Sequence, residues 1–321
     1  MKNFALIGAA GYIAPRHLRA IKDTRNRLIA TLDKSDSVGI IDAFFPEADF
    51  FTEFERFDRH LEMLRRKEPE KAVHFVSICS PNYLHDAHCR FALRIGADAI
   101  CEKPVVLNPW NIDALKEAEE EYGRRIYTIL QLRLHPEIIK LKQKVETDEK
   151  NKKYDIDLTY ITARGKWYFY SWKGMEDKSG GIATNIGVHF FDMLTWIFGP
   201  PILNVVHLRR PDIVAGYLEL ERARIRWLLS LRFEDLPPEV LSSGKRSYRC
   251  IKIDGEPFDF TDGFQDLHTK VYEEILRGNG FSLDENRSAI NIVYNIRHLE
   301  ITPNIGERHP YLDKMKNDIS K

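Results

Sequence analysis

The groups able to do chemistry fall in four short stretches. "GAAGYIAPRH" places Gly8, Gly11 and Ala14 at three-residue spacing directly after an apolar run. Glycines in a strand-to-helix turn let the backbone approach a pyrophosphate, and a small third residue lets the helix lie against the strand. Two glycines alone fit any such turn. A strand before them, a helix after them and Asp33 closing the next strand, 25 residues beyond Gly8, together predict a dinucleotide site. A carboxylate at Asp33 would accept hydrogen bonds from ribose hydroxyls and repel an added phosphate, which favours NAD over NADP, although Lys34 follows directly.

"SICSPNYLHDAHC" sets Ser80, Pro81 and Asn82 at another carboxyl strand end, where open α/β sheets meet their ligands, with His85 one turn into the next helix. "CEKPVV" brings Glu102 and the ammonium of Lys103 to a third strand end, ahead of a proline that can take a tight, cis turn; alone, it also reads as a surface turn. "GGIATNIGVHFFDML" approaches a helix through Gly180 and Gly181 and sets Asn185 four residues before His189. That imidazole is either a core histidine, in keeping with Phe190, Phe191, Met193 and Leu194, or a group that moves a proton near neutral pH.

Such groups need a scaffold that collects strand ends. From residue 1 to 130, β-rich runs ("NFALIG", "NRLIATLD", "ADFF", "AVHFVSIC", "DAICEK", "RIYTILQL") alternate with helical patterns ("APRHLRAIKD", "EFERFDRHLEMLRRK", "LHDAHCRFALRIG", "NIDALKEAEEEYG"). This alternation predicts βαβ units and an N-terminal Rossmann domain built on a doubly wound parallel sheet. After a helix in "RLHPEIIKLKQKVETDEKNKKYD", strand follows strand: "DIDLTYITAR", "ILNVVHLRR", "IVAGYLELE", "ARIRWLLSLR" and "SYRCIKID". Two helices close the chain, around "FQDLHTKVYEEILRG" and "ENRSAINIVYNIRHLE". Residues 131–321 are therefore expected to form one α+β domain, for substrate binding and oligomerisation, with a mostly antiparallel, open-faced sheet. Sheets of that kind often bury the open face against a partner, so a homodimer or homotetramer is expected.

The bulk composition excludes other classes. With 48 basic and 48 acidic residues the chain has no net charge, which argues against nucleic-acid or membrane surfaces, so an anionic ligand must be met by local cations. Cys79, Cys89, Cys101 and Cys250 form no CxxC pair, and neither a disulfide framework nor a metal site is expected. "MKNFALIGAAGY" has no cleavage-site pattern and no run approaches the ~18 apolar residues of a membrane span, so a cytoplasmic protein is expected.

Taken together, the glycine turn, Asp33, "SPNYLH", "EKP" and "GGIATNIGVHFFDML" resemble the Gfo/Idh/MocA oxidoreductases, named for glucose-fructose oxidoreductase and inositol dehydrogenase, over nearly the whole chain. In that family the lysine and histidine of these motifs line the place where a substrate alcohol meets the nicotinamide, which implies catalytic roles for Lys103 and His189, with Asn185 beside them. Oxidising a secondary alcohol needs a hydride acceptor, a base for the hydroxyl proton and a cation for the developing alkoxide. His189 suits the base and Lys103 the cation. Many members carry aspartate where this chain has Asn185; an amide can orient the ring but cannot stabilise imidazolium as a carboxylate does, so Lys103 could share the base role. The cofactor surface implied comprises Gly8, Gly11, Tyr12 and Ile13 in the turn, then Asp33, Ser80, Asn82 and His85, and finally Glu102, Lys103 and Gln131.

The longer strings "FTEFERFDRHL", "RGKWYFYSWKG" and "DGFQDLHTKVYEEIL" resemble a branch of the family that oxidises the sugar 3-hydroxyl of UDP-N-acetyl-glucosaminuronic acid to a ketone, for bacterial surface polysaccharide such as O-antigen. A UDP-uronic acid offers a diphosphate, a carboxylate and a flat base, which cations and aromatic faces would hold. Arg164, Lys166, Trp167, Tyr168 and Trp172 are the candidates, with Lys173 and Tyr170 among them; Arg133, His268 and Tyr272 are further ones. The alternative is that these aromatics only pack a strand and loop. In several such members bound NADH is reoxidised by 2-oxoglutarate, a partner that the residues here neither require nor exclude.

Two rival readings remain. The Gly-x-x-Gly-x-x-Ala spacing also marks extended short-chain dehydrogenases, but their Tyr-x-x-x-Lys pair occurs here only as Tyr248 and Lys252 in a β-patterned run. A non-catalytic NAD-binding regulator would have no need of Lys103 and His189 together. Another sugar or polyol also stays open as substrate.

Overall fold

The computed structural model describes residues 1–260 and 266–314. In chain order the first elements are β1 (Asn3–Ile7), α1 (Ala14–Asp23), β2 (Arg27–Leu32), α2 (Ile40–Phe44), β3 (Asp49–Phe51), α3 (Phe54–Lys67), β4 (Phe75–Ile78), α4 (His85–Arg94), β5 (Asp98–Cys101), α5 (Trp110–Tyr122) and β6 (Ile126–Thr128). All the pairings are parallel and the strand order is β3-β2-β1-β4-β5-β6, the dinucleotide-binding order. β1 is buried along its whole length, as a central parallel strand covered on both faces must be. The order reverses between β1 and β4, and Gly8 and Ser80 follow the carboxyl ends of those two strands.

The remaining elements are α6 (Pro136–Thr147), β7 (Tyr154–Thr162), α7 (Trp167–Tyr170), α8 (Glu176–Ser179), α9 (Val188–Phe198), β8 (Pro201–Arg209), β9 (Ile213–Leu220), β10 (Ala223–Ser230), α10 (Pro238–Ser242), β11 (Ser247–Ile253), β12 (Glu256–Phe258), α11 (Leu267–Leu276), α12 (Leu283–His298) and α13 (Pro310–Lys314). The second sheet runs β12-β11-β7-β10-β9-β8 and is antiparallel throughout except for β7 with β10. One face carries Ile225 and Trp227 of β10 inward, where Trp227 meets Phe191 of α9 edge-on at 5.5 Å. The other face carries ion pairs between registered residues of β7 and β10: Arg224 with Asp155 at 2.9 Å and Arg226 with Asp157 at 2.6 Å. Tyr248 and Lys252 both lie in β11, as the β pattern implied.

The chain divides into two compact units, Met1–Leu134 with Gly263–Arg287, and His135–Asp262 with Ser288–Lys321. One contiguous domain over 131–321 therefore does not describe the structure: the described residues of the Gly263–Arg287 stretch belong with the first unit. The cause is a hydrophobic face. Val271, Tyr272 and Ile275 of α11 join Phe4, Leu6, Leu18 and Ile21 in one core, with the Phe4 ring 5.8 Å from Tyr272. Residues 261–265, including part of "DGFQDLHTKVYEEIL", lie outside the described residues.

Gly8 shows how tightly β1 and β4 meet. Its φ is +93°, and a Cβ there would stand 2.6 Å from the carbonyl carbon and oxygen of Cys79. Gly39, by contrast, has nothing within 4 Å of its Cβ position. Gly8→Ala is therefore expected to lower the unfolding free energy by about 2 to 4 kcal/mol in denaturant titration, and Gly39→Ala to change it by less than about 0.5 kcal/mol. Equal effects would contradict this packing.

Candidate functional site

In the first unit the glycine turn is tied to the end of β2. Gly8 N donates to Leu32 O at 2.8 Å, and Asp33 accepts from Ala10 N and Ser35 N at 2.9 Å each. The Asp33 carboxylate thus stands against the turn that opens α1. α1 has Ile13 at its N-cap and no side-chain cap, the form in which a helix N-terminus can meet an anion. Tyr12, 87% exposed, projects at the tip of the turn, while Ile13 packs on the core.

Beyond β4 and β5 the loops are stitched together by histidines. His85 is buried, with Nδ1 2.7 Å from Pro104 O and Nε2 2.8 Å from Ser80 O, so its ring joins the loop after β4 to the turn after β5. His85, expected among the cofactor residues or in a structural role at the helix start, braces the loop after β4 against the turn after β5. Ser80 Oγ is 2.8 Å from His88 Nδ1, and Asn82 is buried beside them. Burial lowers both histidines, His88 to about 4. The Lys103–Pro104 bond is cis. Burial also pushes the Lys103 amine below its ordinary value, with Glu102 opposing the shift.

Glu102 itself turns inward. His17 Nε2 and His268 Nε2 both meet its Oε1 at 3.0 Å, and Lys103 N donates to its Oε2 at 3.2 Å. His17 Nδ1 is 2.7 Å from the Tyr272 hydroxyl, which lies 2.6 Å from Ser77 Oγ. Burial acts to raise the Glu102 carboxyl, but the hydrogen bonds from His17 and His268 outweigh it and hold the group well below the usual carboxylate range. The expectation that His268 and Tyr272 face a substrate is therefore corrected: both are interior, and their polar atoms serve this network. Arg133 is also buried; it holds Glu285 through Oε1 at 3.2 Å and the backbone O at 2.8 Å, and lies 5.4 Å from the Phe281 ring. His17 had no place among the sequence candidates. Its signal was its position on the Ala14, His17, Leu18, Ile21 stripe of α1, where a polar residue must find a buried partner.

The second unit carries the other motifs. "RGKWYFYSWK" folds as short helical turns, not as strand and loop. Tyr168 is buried, Trp167 is exposed, and the Lys173 amine lies 5.3 Å from the Trp167 ring and 5.7 Å from the Trp172 ring, an arrangement of cation and aromatic faces. Burial first, then Arg164, lowers the Lys173 amine; Arg164 and Lys166 are exposed nearby in sequence. Gly180 and Gly181 both have positive φ, and Gly180 ends α8 against Thr184.

Residues Ala183–Gly187 form a π turn that runs into α9. Gly187 lets this turn lie on β10, since a Cβ there would stand 2.6 Å from Leu229 Cδ1. Phe190, Phe191, Met193 and Leu194 are buried, whereas Asn185 and His189 are half-buried on the remaining side. Asn185 Nδ2 donates to the Tyr168 hydroxyl at 2.9 Å, a tie between α7 and the π turn that the sequence did not announce. The His189 ring packs 4.1 Å from Phe190 and meets Tyr160 edge-on at 6.3 Å. π turns are rare and frequent at functional sites.

The residues present fit NAD. The Gln131 Oε1 atom is buried without a hydrogen-bond partner at the carboxyl end of β6, an acceptor that a carboxamide N–H would satisfy. Asp33, Gly8 and the opening of α1 would hold the ribose and pyrophosphate, with Ser80 and Asn82 along the edge. Among the described residues no helix is long and apolar enough to cross a membrane.

Comparison with known proteins agrees with this geometry. Residues 2–129 match the GFO_IDH_MocA description "Oxidoreductase family, NAD-binding Rossmann fold", and residues 142–236 match its C-terminal alpha/beta domain. The WlbA (WbpB) dehydrogenase of Thermus thermophilus has been solved in complex with NAD and alpha-ketoglutarate, and with NAD and UDP-GlcNAcA. It is 51% identical, covering 97% of this chain and 100% of that one, with a TM-score of 0.92. The WlbA dehydrogenase of Bordetella pertussis, solved with NADH and UDP-GlcNAcA, shares the fold at 19% identity, with 92% and 93% covered and a TM-score of 0.73. The D-glucoside 3-dehydrogenase of Escherichia coli (strain K12) is 24% identical over 207 residues, 63% of this chain and 56% of that protein. Aligned stretches span 36% to 56% of the curated relatives' own length. With both parts of the family matched in order, this chain belongs to the Gfo/Idh/MocA oxidoreductases and carries their NAD-binding Rossmann fold.

Proposed function

We propose that the protein is an NAD-dependent dehydrogenase that oxidises the 3-hydroxyl of UDP-N-acetyl-glucosaminuronic acid to a 3-keto sugar. The observation that carries this reading is the 51% identity over 97% of the chain to a dehydrogenase crystallised with NAD and that sugar nucleotide. Bound NAD supplies the hydride acceptor. His189 takes the hydroxyl proton, and Lys103 holds the hydroxyl oxygen and stabilises the alkoxide as it forms. Asn185 orients the site through its bond to Tyr168. Arg164, Lys166 and Lys173, with Trp167 and Trp172, meet the diphosphate and base. We assign 2-oxoglutarate, present with NAD in the Thermus structure, as the second substrate that accepts the hydride and regenerates NAD. The same reading places the enzyme in the cytoplasm and pairs the open face of the second sheet with another copy, as a homodimer or homotetramer.

Purified protein given NAD and UDP-N-acetyl-glucosaminuronate is expected to show the absorbance of reduced nicotinamide, limited to one turnover without 2-oxoglutarate. Lys103→Ala and His189→Ala are each expected to lower turnover at least about 100-fold. Reduction with inositol or a free hexose, and none with the UDP-sugar, would overturn the substrate; full turnover in both variants would overturn the site.

Asn185→Asp puts a carboxylate four residues before the imidazole, which favours imidazolium. The acidic limb of the kcat/KM profile should then move to higher pH, because the base is protonated over a wider range. A limb that stays in place, or moves down, argues that His189 is not the base. Sedimentation of a stable monomer at micromolar concentration would contradict the assembly.

A further inference from the structure

The four aromatic residues of α7 bury a single ring. Tyr168 is 2% exposed, whereas Trp167, Phe169 and Tyr170 are all exposed. Its backbone is engaged on both sides: Tyr168 N donates to Gly165 O at 3.0 Å, and Tyr168 O accepts from Ser171 Oγ at 2.8 Å. Ser171 Oγ accepts in turn from Lys173 N at 3.3 Å. Gly174 closes the segment tightly, since a Cβ there would stand 2.5 Å from Phe169 Cα. Residues 165–174 are therefore one stiff piece, which carries the Lys173 amine beside the Trp167 and Trp172 rings and buries the Tyr168 side chain. A buried phenol is costly unless its oxygen is hydrogen-bonded, and phenylalanine would fill the same space without that cost. The oxygen is used: Asn185 Nδ2 donates to it at 2.9 Å.

Asn185 is the middle residue of the π turn Ala183–Gly187. That turn is a widened, rarely used backbone form, so its surroundings must hold it. Thr184 stands against Gly180, Gly187 lies on Leu229 of β10, and Asn185 reaches back to α7. α9 follows at Val188 without a break, so where the turn sits decides where His189 sits. We propose that Tyr168 is a positioning residue whose hydroxyl pins the π turn, and with it the first turn of α9, to the segment of residues 165–174. Binding energy gained on that segment is then used to place the imidazole, an interaction far from the reacting carbon serving the chemical step. This catalytic meaning rests on the reading above, in which the segment meets the diphosphate and base and His189 takes the proton. The tie itself is measurable without the sugar.

The test is amide hydrogen exchange of the full-length protein, read by mass spectrometry, with UDP as the probe ligand. In ligand-free Tyr168→Phe the amides of residues 183–189 should exchange about three- to tenfold faster, the worth of one hydrogen bond, while those of β10 keep their wild-type rates. UDP should slow exchange at 183–189 in the wild type and not in Tyr168→Phe, although both bind it. In turnover of UDP-N-acetyl-glucosaminuronate, Tyr168→Phe should lower kcat about tenfold and change KM less than about twofold, and adding Asn185→Ala should lower kcat no further than the slower single variant. Unchanged exchange at 183–189 in Tyr168→Phe, or equal acceleration in β10, overturns the proposal, as does UDP protection that survives the substitution. Where Tyr168→Phe does not fold, unchanged exchange at 183–189 in Asn185→Ala overturns it instead. Failure of the wild type to bind UDP overturns the sugar-nucleotide reading, and the ligand-free comparison still decides the tie.

Discussion

A carboxylate inside a protein must be given donors, and much of the first unit is arranged around that requirement. Glu102 takes N–H groups from α1 and α11, and Tyr272 passes the chain of hydrogen bonds on to Ser77 in β4. A cost of several kcal/mol for an unpaired buried charge makes this set all-or-none. It adds to the hydrophobic face that returns α11 to the first unit, and it ties α1 and α11 to the end of β5. The apolar face of α11 and its two polar side chains act together there: Val271 and Ile275 fill the core while His268 and Tyr272 complete the network.

The nucleotide edge is built by a second layer of the same kind. His85 joins the carbonyls of Ser80 and Pro104, and Asp33 holds the Ala10 amide of the glycine turn. Loops that would otherwise be independent are fixed to one another before any ligand arrives, which lowers the ordering cost of binding. In the second unit the tie between Asn185 and Tyr168 does similar work for the π turn below His189.

Most of the fold was legible because its signals are local. β1, α1 and α3 to α5 follow directly from apolar periodicity, and the five longer strands of the second sheet fall on the strand-like runs of the sequence. What local patterns missed depends on distant partners. α11 looks like any amphipathic helix until Tyr272 is seen against His17 and Phe4, and α2, α7, α8 and β12 are too short for a period to show. Of the site, Asp33, the cis turn at Lys103 and the half-buried His189 were readable from residue type at a strand or helix end. His268 and Tyr272 were misread because a polar residue near a motif carries no sign of which way it faces.

Zero net charge suits a protein that does not attract polyanions in general. In the proposed reaction oxidation falls on the third carbon of UDP-N-acetyl-glucosaminuronic acid. Carbon NMR of the sugar recovered after incubation with NAD and 2-oxoglutarate tests it most directly. The expected spectrum has a new carbonyl resonance at C3; a carbonyl at another ring carbon, or an unchanged sugar, would rule out oxidation there.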